Sequence, residues 1–192
     1  YYWAPRCTTV LDADLFENAV LEVEQIFNSY ATEELEERVL NKALETLALY
    51  RGDFLSGTSS EPWAVNLGTY YRSCYTRLAQ QVVQKLVDLE RYDDVERVCT
   101  QALAIDPTVE DFSMHLMRAL VMEGDPSKAL EHYNSTKRMF MESFGIGPSA
   151  GLEIEHAAAL HSLYGEQLPE DNIRTFLNDD RSLRGAFYCS NT

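Results

Sequence analysis

Apolar residues recur at helical spacing along most of the chain. Leu15, Phe16, Ala19, Val20, Val23, Ile26 and Phe27 share one stripe and predict a helix from about Asp14 to Asn28, with Asp12 and Asp14 near its start. From Thr32 the acidic turn Glu33-Glu34 suits a helix N-terminus, and Leu35, Val39, Leu40, Ala43, Leu44 and Leu47 carry that helix to about Tyr50. Two glycines and a Ser/Thr cluster between Arg51 and Ser60 mark a loop. Pro62 and Trp63 then open a long helix, with Trp63 as its anchor and Leu67, Tyr71, Cys74, Leu78, Val82, Leu86 and Leu89 as its stripe to about Glu90. Three further helices come after it, Asp93 to Ile105, Thr108 to Glu123, and Pro126 to about Phe144, the last capped by Asp125. Gly145, Gly147 and Pro148 break the chain before Ser149 caps a helix with Leu152, His156, Ala159, Leu160 and Leu163, which ends near Gly165. Beyond Leu168 the acidic tail is weakly patterned, with a short helix expected around Ile173 to Leu177.

An internal echo refines this picture. At an offset of 34 residues Val82 maps to Leu116, Leu86 to Leu120, Glu90 to Gly124, Val95 to Ala129 and Cys99 to Tyr133. The period is that of a tetratricopeptide repeat, in which each pair of helices packs on its neighbours. Val95, Ala102 and Pro107 stand in the order of that repeat's two small packing positions and closing proline. The second unit keeps Ala129 but has Thr136 and Met141 at the other two places. The expected fold is therefore all-α, a tetratricopeptide-like right-handed helical repeat array. An irregular bundle with a chance echo is the plainer alternative.

Charge and candidate chemistry narrow the function. With 16 Lys plus Arg against 31 Asp plus Glu, a net charge of -15 opposes binding to phosphate backbones and anionic membranes. No stretch approaches the run of about 18 apolar residues that spans a bilayer. Cys7, Cys74, Cys99 and Cys189 are scattered, without CxxC pairing, and read as reduced thiols of a cytoplasmic protein. His156 and His161 lie five apart, off a shared helical face, and His115 and His132 have no ligand neighbour in register, so neither a metal nor a cofactor is expected. Gly145-Ile146-Gly147-Pro148 comes after a helix and lacks the lysine of a phosphate loop. Tyr70, Tyr71 and Tyr75 read as core packing rather than a base-stacking platform, and the glutamates around Glu33 and Glu36 as a solvated face. No nucleophile–base pair or acid pair appears, and the chain is not expected to be an enzyme.

Helical repeats present a groove lined by the first helix of each pair, which makes binding the default role. The groove positions project to Arg77, Gln80, Gln84 and Asp88 in the first unit and Asp111, Met114 and Arg118 in the second. Arg77 and Arg118 suit a carboxylate-bearing partner because the planar guanidinium matches a carboxylate. The competing reading is internal ion pairing, of Arg118 with Asp111 or Glu123 and of Arg77 near the following turn.

An ordered set of motifs carries a resemblance: Ala48-Leu49-Tyr50-Arg51-Gly52-Asp53-Phe54-Leu55, then Glu61-Pro62-Trp63, Leu89-Glu90-Arg91-Tyr92-Asp93-Asp94, Ala102-Leu103-Ala104-Ile105-Asp106-Pro107 and Phe144-Gly145-Ile146-Gly147-Pro148-Ser149. Over roughly Asp12 to Tyr164 the chain resembles the bacterial transcriptional activator domain found in regulators of the streptomycete antibiotic regulatory protein type. The resemblance implies three regions. Residues 1–11 are the end of an upstream winged-helix domain, with a short β remnant; 12–165 are the helical activator domain; 166–192 are an extension or linker. It further implies a regulatory role, with partners among the regulator's other domains, the transcription machinery or a second copy, and with DNA contacted only through the upstream domain. Glu90 departs from the glycine the family often places there, and the tail from Gln167 lies outside the familiar domain. A tetratricopeptide-like scaffold unrelated to transcription is the alternative.

Overall fold

The computed structural model describes residues 12–27, 33–52 and 61–165, with the backbone alone for 33–36. Among these, every regular element is an α-helix: α1 (Asp12–Phe27), α2 (Glu33–Leu49), α3 (Pro62–Asp88), α4 (Tyr92–Ile105), α5 (Glu110–Met122), α6 (Pro126–Phe144) and α7 (Ala150–Tyr164). The boundaries agree with the sequence pattern to within about two residues, the ordinary spread of helix ends. The expected β remnant before Asp12, most of the loop before Pro62 and the expected short helix at Ile173 lie outside the described residues. The chain divides into two compact units, Tyr1–Pro107 and Thr108–Thr192.

In the first unit α1 and α3 run parallel. Tyr70 donates to Glu17 Oε1 at 2.7 Å and Arg77 Nε donates to Glu24 Oε1 at 2.6 Å, each spanning 53 residues, so both pairs keep one register. Phe16 of α1, Tyr50 at the end of α2 and Tyr75 of α3 form a chain of rings with centroids 5.4 and 4.9 Å apart. Val20, Val23, Val39, Leu40, Ala43 and Leu47 close this core from α1 and α2. The hydroxyl of Thr46, buried on the same side, donates to Lys42 O at 2.8 Å, which satisfies it inside its own helix. Helix α3 packs on α4, and Leu78, Val82 and Leu86 along α3 and Val95, Cys99 and Ala102 along α4 are all buried.

Two sequence expectations for α3 need correction. Trp63 does not lie in the buried stripe: it is 55% exposed, and Ala64 takes the buried side. One residue turns a helix by about 100°, which leaves Trp63 on the edge of the stripe that Tyr71, Cys74 and Leu78 bury. Tyr71 and Tyr75 are core residues as expected, whereas Tyr70 is exposed and held by Glu17. Cys74 and Cys99 are free thiols, both buried.

In the second unit α5 packs on both α6 and α7, and α6 packs on α7. Here too alternate helices run parallel. Arg118 pairs with Glu155, 37 residues on, and Met114 meets Gly151 at the same separation. A Cβ at Gly151 would stand 2.5 Å from Met114 Sδ, so the missing side chain is what lets α5 and α7 approach there. Asp125 caps α6 by accepting Lys128 N–H at 3.3 Å, Pro126 occupies its first turn, and Gly145 ends it at φ 68. Ser149 caps α7 through Leu152 N–H at 3.4 Å.

The repeat is visible in the backbone of the two turns. After α3, Arg91 N–H donates to Leu86 O at 2.9 Å and Glu90 N–H to Val87 O at 3.0 Å. After α5, Asp125 N–H donates to Leu120 O at 2.9 Å and Gly124 N–H to Val121 O at 3.1 Å. Both are Schellman turns, each placing one residue in the left-handed region: Gly124 at φ 86 and Glu90 at φ 55.

Candidate interaction surface

Arg77, Gln80, Gln84 and Asp88 succeed one another at helical spacing along α3, and all four are exposed on the same face. Within that face Gln84 Nε2 donates to Asp88 Oδ1 at 3.0 Å. Arg77 keeps about half its side chain in solvent while its Nε holds Glu24, of which 19% is exposed. That hydrogen bond raises the guanidinium pKa further above its already high value, so Arg77 stays charged at any pH the fold tolerates.

Asp111, Met114 and Arg118 likewise share one side of α5, but with different surroundings. Arg118 is half exposed and pairs with Glu155, whose side chain is only 9% exposed. Met114 is half-buried against Gly151. Asp111 Oδ1 stands 3.7 Å from His115 Nε2. Burial lowers the pKa of His115, outweighing the opposing pull of Asp111, so the ring favours its neutral form near pH 7. The two sets of groove residues belong to separate compact units.

The arginines hold acidic partners that the sequence did not suggest: Glu24 for Arg77 and Glu155 for Arg118. Glu155 carried a readable signal. It falls between Leu152 and Ala159 on the buried side of α7, where a carboxylate requires a cation. A second polar cluster has no such signal in the sequence. Tyr133 of α6 donates to Glu153 Oε1 at 2.6 Å and stacks on His156 with centroids 3.9 Å apart, while Lys137 Nζ lies 5.5 Å from the Tyr133 ring centre. Burial, first, and the Glu153 hydrogen bond raise the Tyr133 pKa, which keeps the hydroxyl a donor. These contacts join α6 to α7 and serve packing.

Parallel first helices, short Schellman turns and a 34-residue recurrence define a protein built from repeated helix pairs. The model of the bacterial transcriptional activator domain matches residues 11–160, and the chain belongs to that family. No curated protein matches the chain. Family membership assigns it a role connected with transcription activation in bacterial regulators. Among the described residues no helix is long and apolar enough to cross a membrane.

Proposed function

We propose that this chain is the protein-interaction module of a bacterial transcription regulator, acting in the cytoplasm without catalysis, and that DNA is read by a winged-helix domain preceding it. The family match carries the reading. The net charge of -15 supports the division of labour, because a surface so acidic repels the phosphate backbone. The module's partners are then other domains of the same regulator, the transcription machinery or a second copy of the regulator. Deleting residues 12–165 from the full regulator should leave promoter occupancy measurable while abolishing reporter transcription. Undiminished transcription from the truncated regulator would reject the role.

Contact is proposed on each unit by itself, at the exposed residues of α3 in the first and of α5 in the second. Arg77 and Arg118 each leave about half of the side chain in water, where an incoming carboxylate can reach the guanidinium. Replacing both arginines by alanine should lower reporter activation with helical content largely intact. Glu24→Gln and Glu155→Gln, which break the same internal pairs but keep the arginines, separate partner binding from stability. Loss of activation in both sets would reject these contact surfaces and leave only a structural role for the pairs.

A further inference from the structure

Helix α7 is apolar on two sides and buried on one. Leu152 and Ala159 point into the unit, with Glu155 held by Arg118. The opposite face consists of Ala150, Ile154, Ala157, Ala158, His161 and Tyr164, all exposed, with Ile154 62% and Tyr164 54% accessible. It bears no Asp, Glu, Lys or Arg, in a chain where such residues make up 24%. Helices apolar all round are ordinarily covered all round. By its parallel register with α5, α7 occupies the place of a first helix in a pair, and α5 is succeeded by its packing partner α6.

The sequence beyond α7 suits that open face. The helix ends at Gly165, with φ 58, and the chain runs on to Thr192. Leu168-Pro169-Glu170-Asp171 carries a helix start signal, proline followed by acidic residues; Pro62 and Pro126 stand in the first turns of α3 and α6, there without acidic residues after them. In a helix Ile173, Phe176 and Leu177 would share one face, with Glu170 at its edge, and Asp171, Arg174 and Asn178 would take the other. Size argues for a tethered occupant. A 15-residue helix is about 22 Å long, and one of its faces buries well under the roughly 800 Å² per partner of a stable interface between separate molecules. A segment joined to α7 by a few residues needs no such area, because its effective concentration is on the order of millimolar.

We propose that residues 168–179 pack as an amphipathic helix across the Ile154–Ala158–Tyr164 face of α7, supplying the second helix of the pair that α7 begins. The test is amide hydrogen exchange on the full chain, with light scattering to fix its oligomeric state. In a monomer, amides of 170–179 should exchange at least about 10-fold slower than an unstructured peptide. Ile154→Asp on α7 and the double change Ile173→Ser/Phe176→Ser on the tail should each restore unstructured rates there, while amides of α5 and α6 stay protected and report an intact fold. Unprotected amides in the unaltered monomer would overturn the proposal. So would protection that Ile154→Asp leaves unchanged, which puts the segment elsewhere, or a dimer that Ile154→Asp dissolves, which makes a second copy the occupant.

Discussion

Arg91 and Asp94 begin α4 as an ion pair, Nε to Oδ2 at 2.8 Å; thirty-four residues on, Asp125 and Lys128 begin α6 as an ion pair at 2.8 Å with the charges exchanged. Each arrangement supplies one favourable charge at a helix N-terminus. In α4 it is Asp94 inside the first turn, and in α6 it is Asp125 at the cap, where it also accepts a backbone N–H. The interior shows the same exchange. Val95 and Cys99 are buried in the first pair, and Ala129 and Tyr133 in the second, so a smaller residue at one place accompanies a much larger one a turn later. What the two pairs hold in common is the backbone of the turn and the order of buried positions. Side-chain identity is free wherever volume and charge are balanced locally, which is how helix pairs that share few residues fold alike.

The comparison breaks most sharply at Tyr133. Its ring is buried, stacked on His156 and bonded to Glu153, so Tyr133→Ala should cost about 3–5 kcal/mol in urea unfolding. Its counterpart Cys99 fills far less space, and Cys99→Ala should cost about 1 kcal/mol. Equal costs would deny that the large ring takes on a structural share its counterpart lacks. The arginines come next. Arg118→Ala strands the buried Glu155 and should cost about 1–2 kcal/mol, the exposed guanidinium discounting the penalty of a fully buried pair; Arg77→Ala, facing the more accessible Glu24, should cost about 0.5 kcal/mol. A double-mutant cycle with each glutamate reads the coupling directly.

The turns give smaller effects of opposite sign. Gly124 at φ 86 needs the left-handed region, and Gly124→Ala should destabilise by about 1 kcal/mol. Glu90 occupies that region with a side chain, so Glu90→Gly should stabilise by up to about 1 kcal/mol, offset in part by the freedom glycine gains in the unfolded chain. Destabilisation by Glu90→Gly would mean that its side chain makes a compensating contact.

Acid should separate the units. All four histidines lie after Pro107, and burial is the first cause lowering the pKa of His115, His132 and His156 below 6.5. The folded second unit therefore binds fewer protons than its unfolded form. Stability is unaffected above the unfolded value, falls as pH drops through about 6.5, and has lost its full share once pH passes the lowered folded values. Residue-resolved hydrogen exchange between pH 7 and 5.5 should show α5–α7 weakening before α1–α4. Equal weakening would assign the pH response to carboxylates spread over both units.

Much of this fold was legible because its signals are local. Asp125-Pro126, Gly145 and Ser149 each announce a helix boundary through the bonds they make or cannot make, and the boundaries stand where they announce them. The end of α3 was less clear, since a glutamate in the left-handed region carries no signature of its own; the end of the apolar stripe, the 34-residue echo onto Gly124 and the glycine of the family pattern pointed to the turn. The four α3 residues of the candidate groove share an exposed face as their spacing implied. Met114 turned out half-buried because Gly151, far along the chain, opens space for it. That Glu155 needs a cation was readable, but which arginine meets Glu155 or Glu24 was not: the pairing depends on the parallel register of alternate helices, which periodicity within one helix does not encode. Trp63 shows the limit of pattern itself, for a residue on the edge of a stripe is apolar in sequence and open in the structure.

The central claim is that this family member acts through protein contacts and does not itself read DNA. Fluorescence anisotropy of the isolated chain with promoter DNA, titrated at low and physiological salt, tests it most directly. The account predicts no saturable, sequence-dependent binding at either salt, because a net charge of -15 opposes the phosphates. Tight binding that distinguishes the promoter from unrelated DNA at physiological salt would contradict it.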